Sequence, residues 1–390
     1  MKSTCIAVLF SLFVPCAVSA WDFCCENADG LMLYYNYVDE SSCEVTWGNE
    51  CDWDYPVIRI PGEVTVPAGQ RRDGADTLLA VIGIGEAAFS AQHSPTPYMR
   101  RVVFSYGLGY IGKLAFAGCD HLKSVEWPED NEWFYSIGER AFVGCRELNK
   151  FTMPRNTEIL GVGAFASSGV KELKFEAGNT SLTEIPSNCF YEAGLESLDL
   201  PANIKMIGDG AFRNCRGLSR VVLRGVRIIG EYAFYNHQLW KEFELPETVT
   251  DIGDYAFCCM VSENGAPPRN LMHVNTLYVN AKTPPYCTST KTLGDDTYNS
   301  STKTFTPVID NIIFVVPLKT AEAYRTTYPW SRIAEICYRQ RDTSGVSAVE
   351  SPTEGEESFF GVDGKMTSQA RPGVNIVRYK NGTVRKILKK

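Results

Sequence analysis

The hexapeptide Ile207-Gly208-Asp209-Gly210-Ala211-Phe212 is one copy of an Ile-Gly-x-x-Ala-Phe block that recurs eight times, with small variations, between residues 80 and 260. Its final residue recurs as Phe89, Phe116, Phe142, Phe165, Phe190, Phe212, Phe234 and Phe257, in steps of 27, 26, 23, 25, 22, 22 and 23 residues. A short repeat of this kind cannot bury its apolar side alone and must stack on its neighbours. The spacing therefore predicts a solenoid, an elongated stack of coils.

Between the blocks, apolar and polar residues alternate with the period of a β-strand. Leu198 and Leu200, for example, precede Pro201, which cannot donate to a sheet and ends the strand. The glycine of each block predicts a tight corner. The Ala-Phe segment after it predicts one turn of α- or 3-10 helix, with the phenylalanine ring at the centre of the coil.

The combined string, Leu-x-x-Val/Phe-x-Leu/Met-Pro followed by Ile-Gly-x-x-Ala-Phe-x-x-Cys, resembles the BspA-type leucine-rich repeat, densely over residues 84–260. The resemblance implies a right-handed leucine-rich repeat solenoid that is rich in β-strands, with short helical or 3-10 turns. A small β cap is expected at its N-terminus and a small β hairpin at its C-terminus. For function, the resemblance implies adhesion or the binding of matrix and host proteins, without catalytic residues or a cofactor.

The first twenty residues are typical of a secretory signal, with Lys2, an apolar stretch from Ile6 to Val18 and a small-residue cleavage site ending at Ala20. A lipid anchor at Cys16 is the alternative, which the preceding Val14 and Pro15 disfavour. No other stretch is apolar over the ~20 residues that a membrane-spanning helix needs. We therefore expect a secreted or cell-surface protein without a transmembrane helix.

Composition changes mark the remaining boundaries. We expect the signal peptide in residues 1–20, the N-terminal β cap in 21–82 and the BspA-type repeats in 83–260. Irregular last repeats and a C-terminal cap follow in 261–340, with inserted loops at 261–269 and 289–303. An acidic linker occupies 341–358, and a β tail occupies 359–390.

The tail alternates as two strands across Asn381-Gly382, a strong hairpin signal. It carries seven positive charges and no acid between Arg371 and Lys390. It is similar to the short C-terminal tails of exported bacterial proteins, which implies contact with a sorting machinery. The alternative is a basic hairpin that docks on the acidic body of the chain.

The net charge argues against one class of binding partner, and the cysteines indicate where disulfides could form. A formal net charge of -8 argues against nucleic acid, because phosphate neutralisation needs a basic face. In an oxidising compartment, Cys24, Cys25, Cys43 and Cys51 are candidates for a disulfide-stapled cap. The cysteines three residues after a block phenylalanine, by contrast, are expected to be small buried residues. The sequence contains no Gly-x-Ser-x-Gly or His-Glu-x-x-His motif and no Cys-x2-Cys pair, so we expect neither catalysis nor a structural zinc site.

The outward positions of the long predicted strands are the candidate ligand-binding face. They are mixed in charge and free of aromatic residues, so a merely solvated face is the alternative. The candidate residues are Lys123, Glu126, Lys150, Thr152, Lys174, Asp199, Arg220, Lys241 and Glu244. The functional hypothesis is a non-catalytic surface protein that binds a protein or matrix ligand there, and its alternative is a structural spacer of the cell envelope without a specific ligand.

Overall fold

The structure is a computed structural model. It describes residues 21–48, 55–72, 77–93, 98–129, 131–238, 240–261, 269–294, 296–299, 304–307, 312–332, 336–339, 358–360, 366–367, 373–378 and 384–389. The predicted signal peptide, the alternative anchor at Cys16 and all of the predicted linker except Ser358 lie outside these residues.

Each coil of the solenoid begins with a longer strand, and these strands stack in parallel with their neighbours in three consecutive sheets. The first sheet contains Val57–Ile60, Arg101–Phe104 and Ser124–Glu126. The second contains Lys150–Met153, Glu172–Phe175, Ser197–Leu200 and Arg220–Leu223. The third contains Trp240–Leu245, Val274–Val279, Ile313–Pro317 and Ile336–Arg339. We call their outward side the strand face.

A second strand leads into the block of each coil, with seven residues in the first coil and two residues in the others, and these strands also stack in parallel, together with Tyr286–Cys287 after the last block. One series contains Leu78–Ile84, Tyr110–Ile111, Ser136–Ile137 and Ile159–Leu160. The other contains Glu184–Ile185, Met206–Ile207, Ile228–Ile229, Asp251–Ile252 and Tyr286–Cys287. We call the outward side of these strands the second face. Together the two sets of parallel strands confirm the predicted leucine-rich repeat solenoid.

The block phenylalanines form a continuous column inside the coils, as predicted. All eight are at most 1% exposed. Neighbouring rings stack with centroids 5.2–5.7 Å apart and ring planes within 9° of parallel. Aromatic side chains bury about 150–250 Å² each and contribute strongly to the energy of a protein core. The column therefore supplies much of the burial energy that holds the coils together.

The segment after each Ile-Gly differs from the predicted helical turn. The residue two before the phenylalanine has a left-handed backbone in all eight coils, with φ between 52° and 64°. These residues are Ala87, Leu114, Arg140, Gly163, Asn188, Gly210, Tyr232 and Tyr255. Right-handed helices exclude such residues, so the segment is a series of tight turns.

Successive backbone N–H groups of these turns alternate between two kinds of hydrogen bond, one within the same coil and one to the next coil. Ala115 N–H donates to the Gly112 carbonyl of its own coil at 3.3 Å, whereas Phe116 N–H donates to the Ala141 carbonyl of the next coil at 2.8 Å. The same inter-coil bond, 2.7–2.8 Å long, recurs from Phe89 to Phe234. The turns therefore form a third hydrogen-bonded side of the solenoid, which leaves few backbone groups unpaired.

The glycine of the block is needed for close packing between coils. Its φ is not positive in any of the blocks, so left-handed geometry is not the reason for it. A Cβ on Gly138 would instead lie 2.6 Å from the backbone carbon of Gly112 and the nitrogen of Lys113 in the preceding coil. Only a residue without a side chain allows the two backbones to approach this closely.

The N-terminus forms the predicted β cap. Phe23–Glu26, Met32–Tyr37 and Ser42–Thr46 are antiparallel neighbours, and the third pairs in parallel with the first short strand of the solenoid. Glu63–Thr65 joins the same strand, and a 3-10 helix at Ala68–Gln70 follows. Cys24, Cys25 and Cys43 are free thiols, while Cys51 lies outside the described residues. The predicted staple is therefore not formed among these three cysteines.

Hairpin arms flank the two predicted inserted loops, of which residues 262–268, 295 and 300–303 lie outside the described residues. Cys258–Val261 pairs antiparallel with Arg269–Met272, and Asp296–Asn299 pairs with Thr304–Pro307. The cap adds helix Ala321–Thr326 and three 3-10 helices, Thr290–Leu293, Leu318–Thr320 and Trp330–Arg332. Buried Tyr324 and Trp330 close the stack by donating to the carbonyls of Ala281 and Pro285 at 2.8 Å.

The C-terminal tail contains the predicted hairpin. Gly373–Arg378 pairs antiparallel with Val384–Lys389 over six residues. Ser358–Phe360 and Met366–Thr367, which the sequence did not predict, extend this sheet. The turn at Asn381-Gly382 lies outside the described residues, and the domain boundaries stay predictions.

Candidate interaction surfaces

The nine predicted ligand-binding residues lie on the strand face. Eight of them are in long strands, and Lys123 directly precedes the strand Ser124–Glu126. Eight are exposed, and Thr152 is half-buried. Because the strands pair in register, with Lys150 opposite Glu172 and Ser197 opposite Arg220, the outward side chains form straight columns across the coils.

Most charges of the strand face are already neutralised by a residue of the same strand or of an adjacent coil. The Glu172 carboxylate forms ion pairs with the ammonium groups of Lys150 and Lys174, both at 3.1 Å. These contacts hold the pKa of the Glu172 carboxyl below its usual value, the Lys174 hydrogen bond being the larger cause. Further pairs are Arg101–Glu126 at 3.1 Å, Lys123–Glu147 at 3.3 Å, Lys171–Glu196 at 3.2 Å and Arg224–Asp199 at 2.8 Å.

The remaining charged candidates lie toward the C-terminal end of the strand face. The Glu244 carboxylate accepts a 2.6 Å hydrogen bond from the Asn280 amide. Arg220 and Lys241 make no ion pair within 4.0 Å among the described residues. Lys241 borders a shallow, open recess. The recess is lined by Ser219, Gln238, Trp240, Lys241 and Glu242.

The second face and the turns that lead into it expose large aromatic and apolar side chains. Tyr135 exposes 43% of its surface and Ile159 54%, and Trp133, in the turn before the strand Ser136–Ile137, exposes 71%. The rings are supported by glycines of the preceding coil, since a Cβ on Gly109 would lie 3.2 Å from the Tyr135 ring. The centroids of Tyr135 and the half-buried Tyr110 are 6.4 Å apart, so the aromatic surface crosses neighbouring coils.

Sequence reasoning missed this surface because it followed only the strict alternation of the long strands. In the short strands, the two residues before the block isoleucine form adjacent outward columns. In the first five coils these columns contain Ile82, Gly83, Gly109, Tyr110, Tyr135, Ser136, Glu158, Ile159, Thr183 and Glu184. They contain no lysine or arginine. The available signal was aromatic and apolar residues directly before the block at positions where a polar residue was expected.

Acidic side chains on the second face are not neutralised as they are on the strand face. The Tyr110 hydroxyl donates to Glu44 at 2.5 Å. Glu132 and Glu158 are exposed, and no ion pair within 4.0 Å reaches them from the residues that the structure describes. The second face therefore places unpaired carboxylates next to exposed rings.

Arg213 forms a cluster with tyrosines on the turn side of the solenoid. Its guanidinium carbon lies 5.3–6.0 Å from the ring centroids of Tyr191, Tyr232 and Tyr235. Cation–π contacts of this geometry stabilise the stacked coils that supply the rings. We interpret this cluster as a structural contact between coils.

The buried cysteines behave as small apolar residues, as predicted. Cys119, Cys145 and Cys215 are fully buried, and each thiol contacts a phenylalanine carbonyl of the preceding coil at 3.0–3.1 Å. Burial raises the pKa of the Cys215 thiol to about 12. At neutral pH these groups are therefore neutral thiols, which are poor nucleophiles.

One Cys–His contact has the distance of a nucleophile–base pair. The Cys259 sulfur lies 3.2 Å from His273 Nδ1 and 3.3 Å from the His237 carbonyl. However, burial raises the pKa of Cys259 to about 11, so the thiolate that catalysis requires is scarce at neutral pH. Over the part of the chain that is described, no group of three or more His, Cys, Asp or Glu residues could hold a metal ion.

The architecture defines the class of the protein, a leucine-rich repeat solenoid with extended outward sheets. The sequence profile of the BspA type leucine rich repeat region matches residues 80–184 and 183–303, with six copies. These matches span more than half of the 390 residues, so the chain belongs to the BspA-type leucine-rich repeat family. The family is generally non-catalytic, its members are typically cell-surface proteins, and leucine-rich repeats generally mediate protein interactions.

Several solved structures are similar to this chain at low identity. A leucine rich repeat protein of T. pallidum is 24% identical over 55% of this chain and 80% of its own, with a TM-score of 0.35. A leucine rich cell surface protein of Faecalibacterium prausnitzii is 15% identical over 82% of this chain and 95% of its own, with a TM-score of 0.39. A leucine-rich repeat protein of Bacteroides ovatus is 16% identical over 80% and 98%, with a TM-score of 0.28.

The search of curated proteins found no match. Within the described residues, the helices are too short or too polar to cross a membrane.

Proposed function

We propose that this chain is an exported, non-catalytic surface protein that binds a protein or matrix ligand through its solenoid. The observation that supports it best is the regular strand face. Its strands remain in register from coil to coil and present straight columns of exposed side chains. Such extended surfaces are what repeat proteins use to contact other proteins. The recess beside Lys241 is shallow and open, a shape that fits contact with a macromolecular surface better than enclosure of a small substrate.

Within the strand face, Arg220 and Lys241 are the best candidate contacts. They are exposed and free of ion pairs to described residues, so a partner does not have to displace an existing carboxylate. The recess beside Lys241 adds concave surface and the edge of Trp240, which is almost fully buried. Arginine and tryptophan are enriched among residues that dominate binding energy.

The alternative function, a spacer without a specific ligand, is favoured by the ion pairs themselves. Lys123, Glu126, Lys150, Lys174 and Asp199 each form an ion pair with a residue of the same strand or of an adjacent coil. A partner that used these charges would first have to break those pairs. A self-neutralised face of this kind is what a solvated structural scaffold requires.

Capture of extracellular proteins separates the two functions. The intact chain would be immobilised and exposed to matrix and cell-surface proteins, beside the triple variant Lys150→Ala, Lys174→Ala and Arg220→Ala. A triple variant of Lys113, Lys205 and Arg227 removes the same charge elsewhere and serves as the control. Loss of a captured protein in the first variant alone supports binding through the strand face. Capture of nothing by the unmodified chain supports the spacer.

Export and delivery are part of the same proposal. The signal-like residues 1–20 and the basic tail support translocation followed by contact with a sorting machinery. Fractionation of cells that express the full chain tests this directly. We expect the protein outside the cytoplasm, and deletion of residues 359–390 should change where the exported protein accumulates.

A further inference from the structure

We propose that the second face carries a separate docking site for a cationic polypeptide segment, one that bears lysine or arginine side chains. We call this site the aromatic patch and define it as Tyr110, Glu132, Trp133, Tyr135, Glu158 and Ile159. The inference rests on the proposed interaction function, and it names a different face and the chemistry of the partner.

The first support is the exposure of large apolar side chains on neighbouring coils. Trp133 is 71% exposed, which is the highest value among the exposed large hydrophobic residues of the described chain. Tyr135, on the same coil, is 43% exposed, and Ile159, on the next coil, is 54% exposed. Clustered aromatic residues at a surface mark interaction sites more often than scattered ones do.

The second support is the rigidity of the aromatic rings. The position that a Cβ of Gly83 would occupy is only 2.2 Å from the Tyr110 ring, and the Cβ position of Gly109 is 3.2 Å from the Tyr135 ring. Both rings therefore lie against bare backbone of the preceding coil. Side chains held in this way lose little conformational entropy when a partner covers them.

The third support is charge, which commits the site to a cationic partner. The Glu158 N–H donates to the Tyr135 carbonyl at 2.8 Å, so these residues are neighbours on adjacent coils, and Glu132 directly precedes Trp133. Neither carboxylate makes an ion pair with the described residues, whereas most acids of the strand face do. The outward columns of the first five coils contain no lysine or arginine. An arginine or lysine side chain can lie over a ring while its charge meets a carboxylate. An acidic segment would be repelled at the same place.

Direct binding of peptide probes to the intact chain tests the inference. The probe is a fluorescent 12-residue Gly/Ser peptide that carries four arginines, and matched peptides carry four glutamines or four glutamates. We expect the arginine peptide to bind about tenfold more tightly than the glutamine peptide at low salt. The preference should fall as salt is raised. Equal binding of the arginine and glutamine peptides would overturn the proposal.

Matched charge variants locate the binding. Glu132→Gln with Glu158→Gln changes the patch, and Glu126→Gln with Glu244→Gln changes the strand face by the same net charge. We expect a loss of affinity of about fivefold or more in the first variant only. The Trp133→Ser variant changes an exposed side chain, so it should weaken the binding of the arginine peptide without lowering the thermal stability of the protein. Equal effects on both faces would show non-specific attraction to an acidic protein and would refute the site.

A peptide of residues 371–390 identifies the remaining alternative, because that segment of the tail is itself basic. If it binds the patch more tightly than the arginine probe, the occupant is the tail and the inference of a separate partner is wrong. Failure of the aromatic patch can be distinguished from failure of the proposed function. Failure of every peptide, together with loss of a captured protein in the Lys150, Lys174 and Arg220 variant, would leave the proposed function standing and remove only the aromatic patch.

Discussion

Replacement of Phe190 by alanine should remove a large part of the stability of the solenoid. Phe190 is fully buried, and its ring stacks on Phe165 at 5.2 Å and on Phe212 at 5.5 Å. Truncation of a buried phenylalanine costs about 3–5 kcal/mol, because apolar contacts are lost and a cavity remains. We expect the upper half of that range, since both ring stacks are lost and the backbone ladder limits collapse of the coil.

Urea unfolding followed by circular dichroism and tryptophan fluorescence measures this free energy of unfolding. Phe190→Leu is the matched variant, since it keeps most of the apolar volume but loses the ring stacking, and it should cost about 1–2 kcal/mol. Trp133→Ala removes a larger but exposed side chain and should change stability by about 0.5 kcal/mol or less.

The relative loss of stability in the three variants tests whether the phenylalanine column is the core of the coil. A loss below about 1 kcal/mol for Phe190→Ala, similar to that of Trp133→Ala, would show that the phenylalanine column is not the core of the coil. A Phe190→Ala variant that folds normally and loses stability in only one neighbouring segment would also contradict the continuous column. In a continuous column each coil is stabilised by the coils on both sides of it.

Contacts elsewhere in the solenoid set three further expected outcomes. Burial lowers the pKa of His237 to about 4, so as the pH falls this imidazole is protonated in the unfolded chain before it is protonated in the folded protein. The free energy of unfolding should therefore fall by up to about 3 kcal/mol as the pH drops from 6.5 towards 4. Urea titrations of His237→Phe over the same pH range should lack this slope. Gly138→Ala places a Cβ 2.6 Å from backbone and should lower the melting temperature sharply, whereas Gly69→Ala, in open space, should not. A double-mutant cycle on the exposed Arg224–Asp199 pair should give less than about 1 kcal/mol, and a larger coupling would contradict its exposure.

The sequence was sufficient to predict the coil because its strongest signal is also its main packing element. A large apolar residue at a nearly constant spacing has one physical solution, the stacked column that Phe116 and Phe142 show. The predicted burial of Cys119 and Cys145 follows from the same repeat register. Periodic features of this kind survive in three dimensions because every coil repeats the same environment.

The turn geometry was not predictable because it is imposed by stacking and not by residue type. The left-handed position is occupied by residues as different as Leu114, Arg140 and Tyr232, which have no common preference for positive φ. The inter-coil hydrogen bonds of the turns compensate for the strain. Similarly, Gly138 could be read as a corner residue, although its role is to let two backbones approach.

The candidate site was only half visible in the sequence. The strand face follows from alternation in the long strands, and all nine candidates lie where they were expected. Their neutralisation by residues such as Glu172 and Glu147 depends on which strands become neighbours, which one sequence does not state directly. The aromatic patch was missed because adjacent outward residues at Tyr135 and Ser136 break the alternation on which the prediction depended.

Amide hydrogen exchange on the native chain tests the central claim, a continuous stack of coils, most directly. The N–H groups of Phe116, Phe142, Phe165, Phe190 and Phe212 each donate to the following coil at 2.7–2.8 Å. We expect these amides to be among the slowest to exchange, with similar protection along the whole array. Rapid exchange at these phenylalanines, or protection in separate blocks with exchanging phenylalanines between them, would contradict the stacked solenoid.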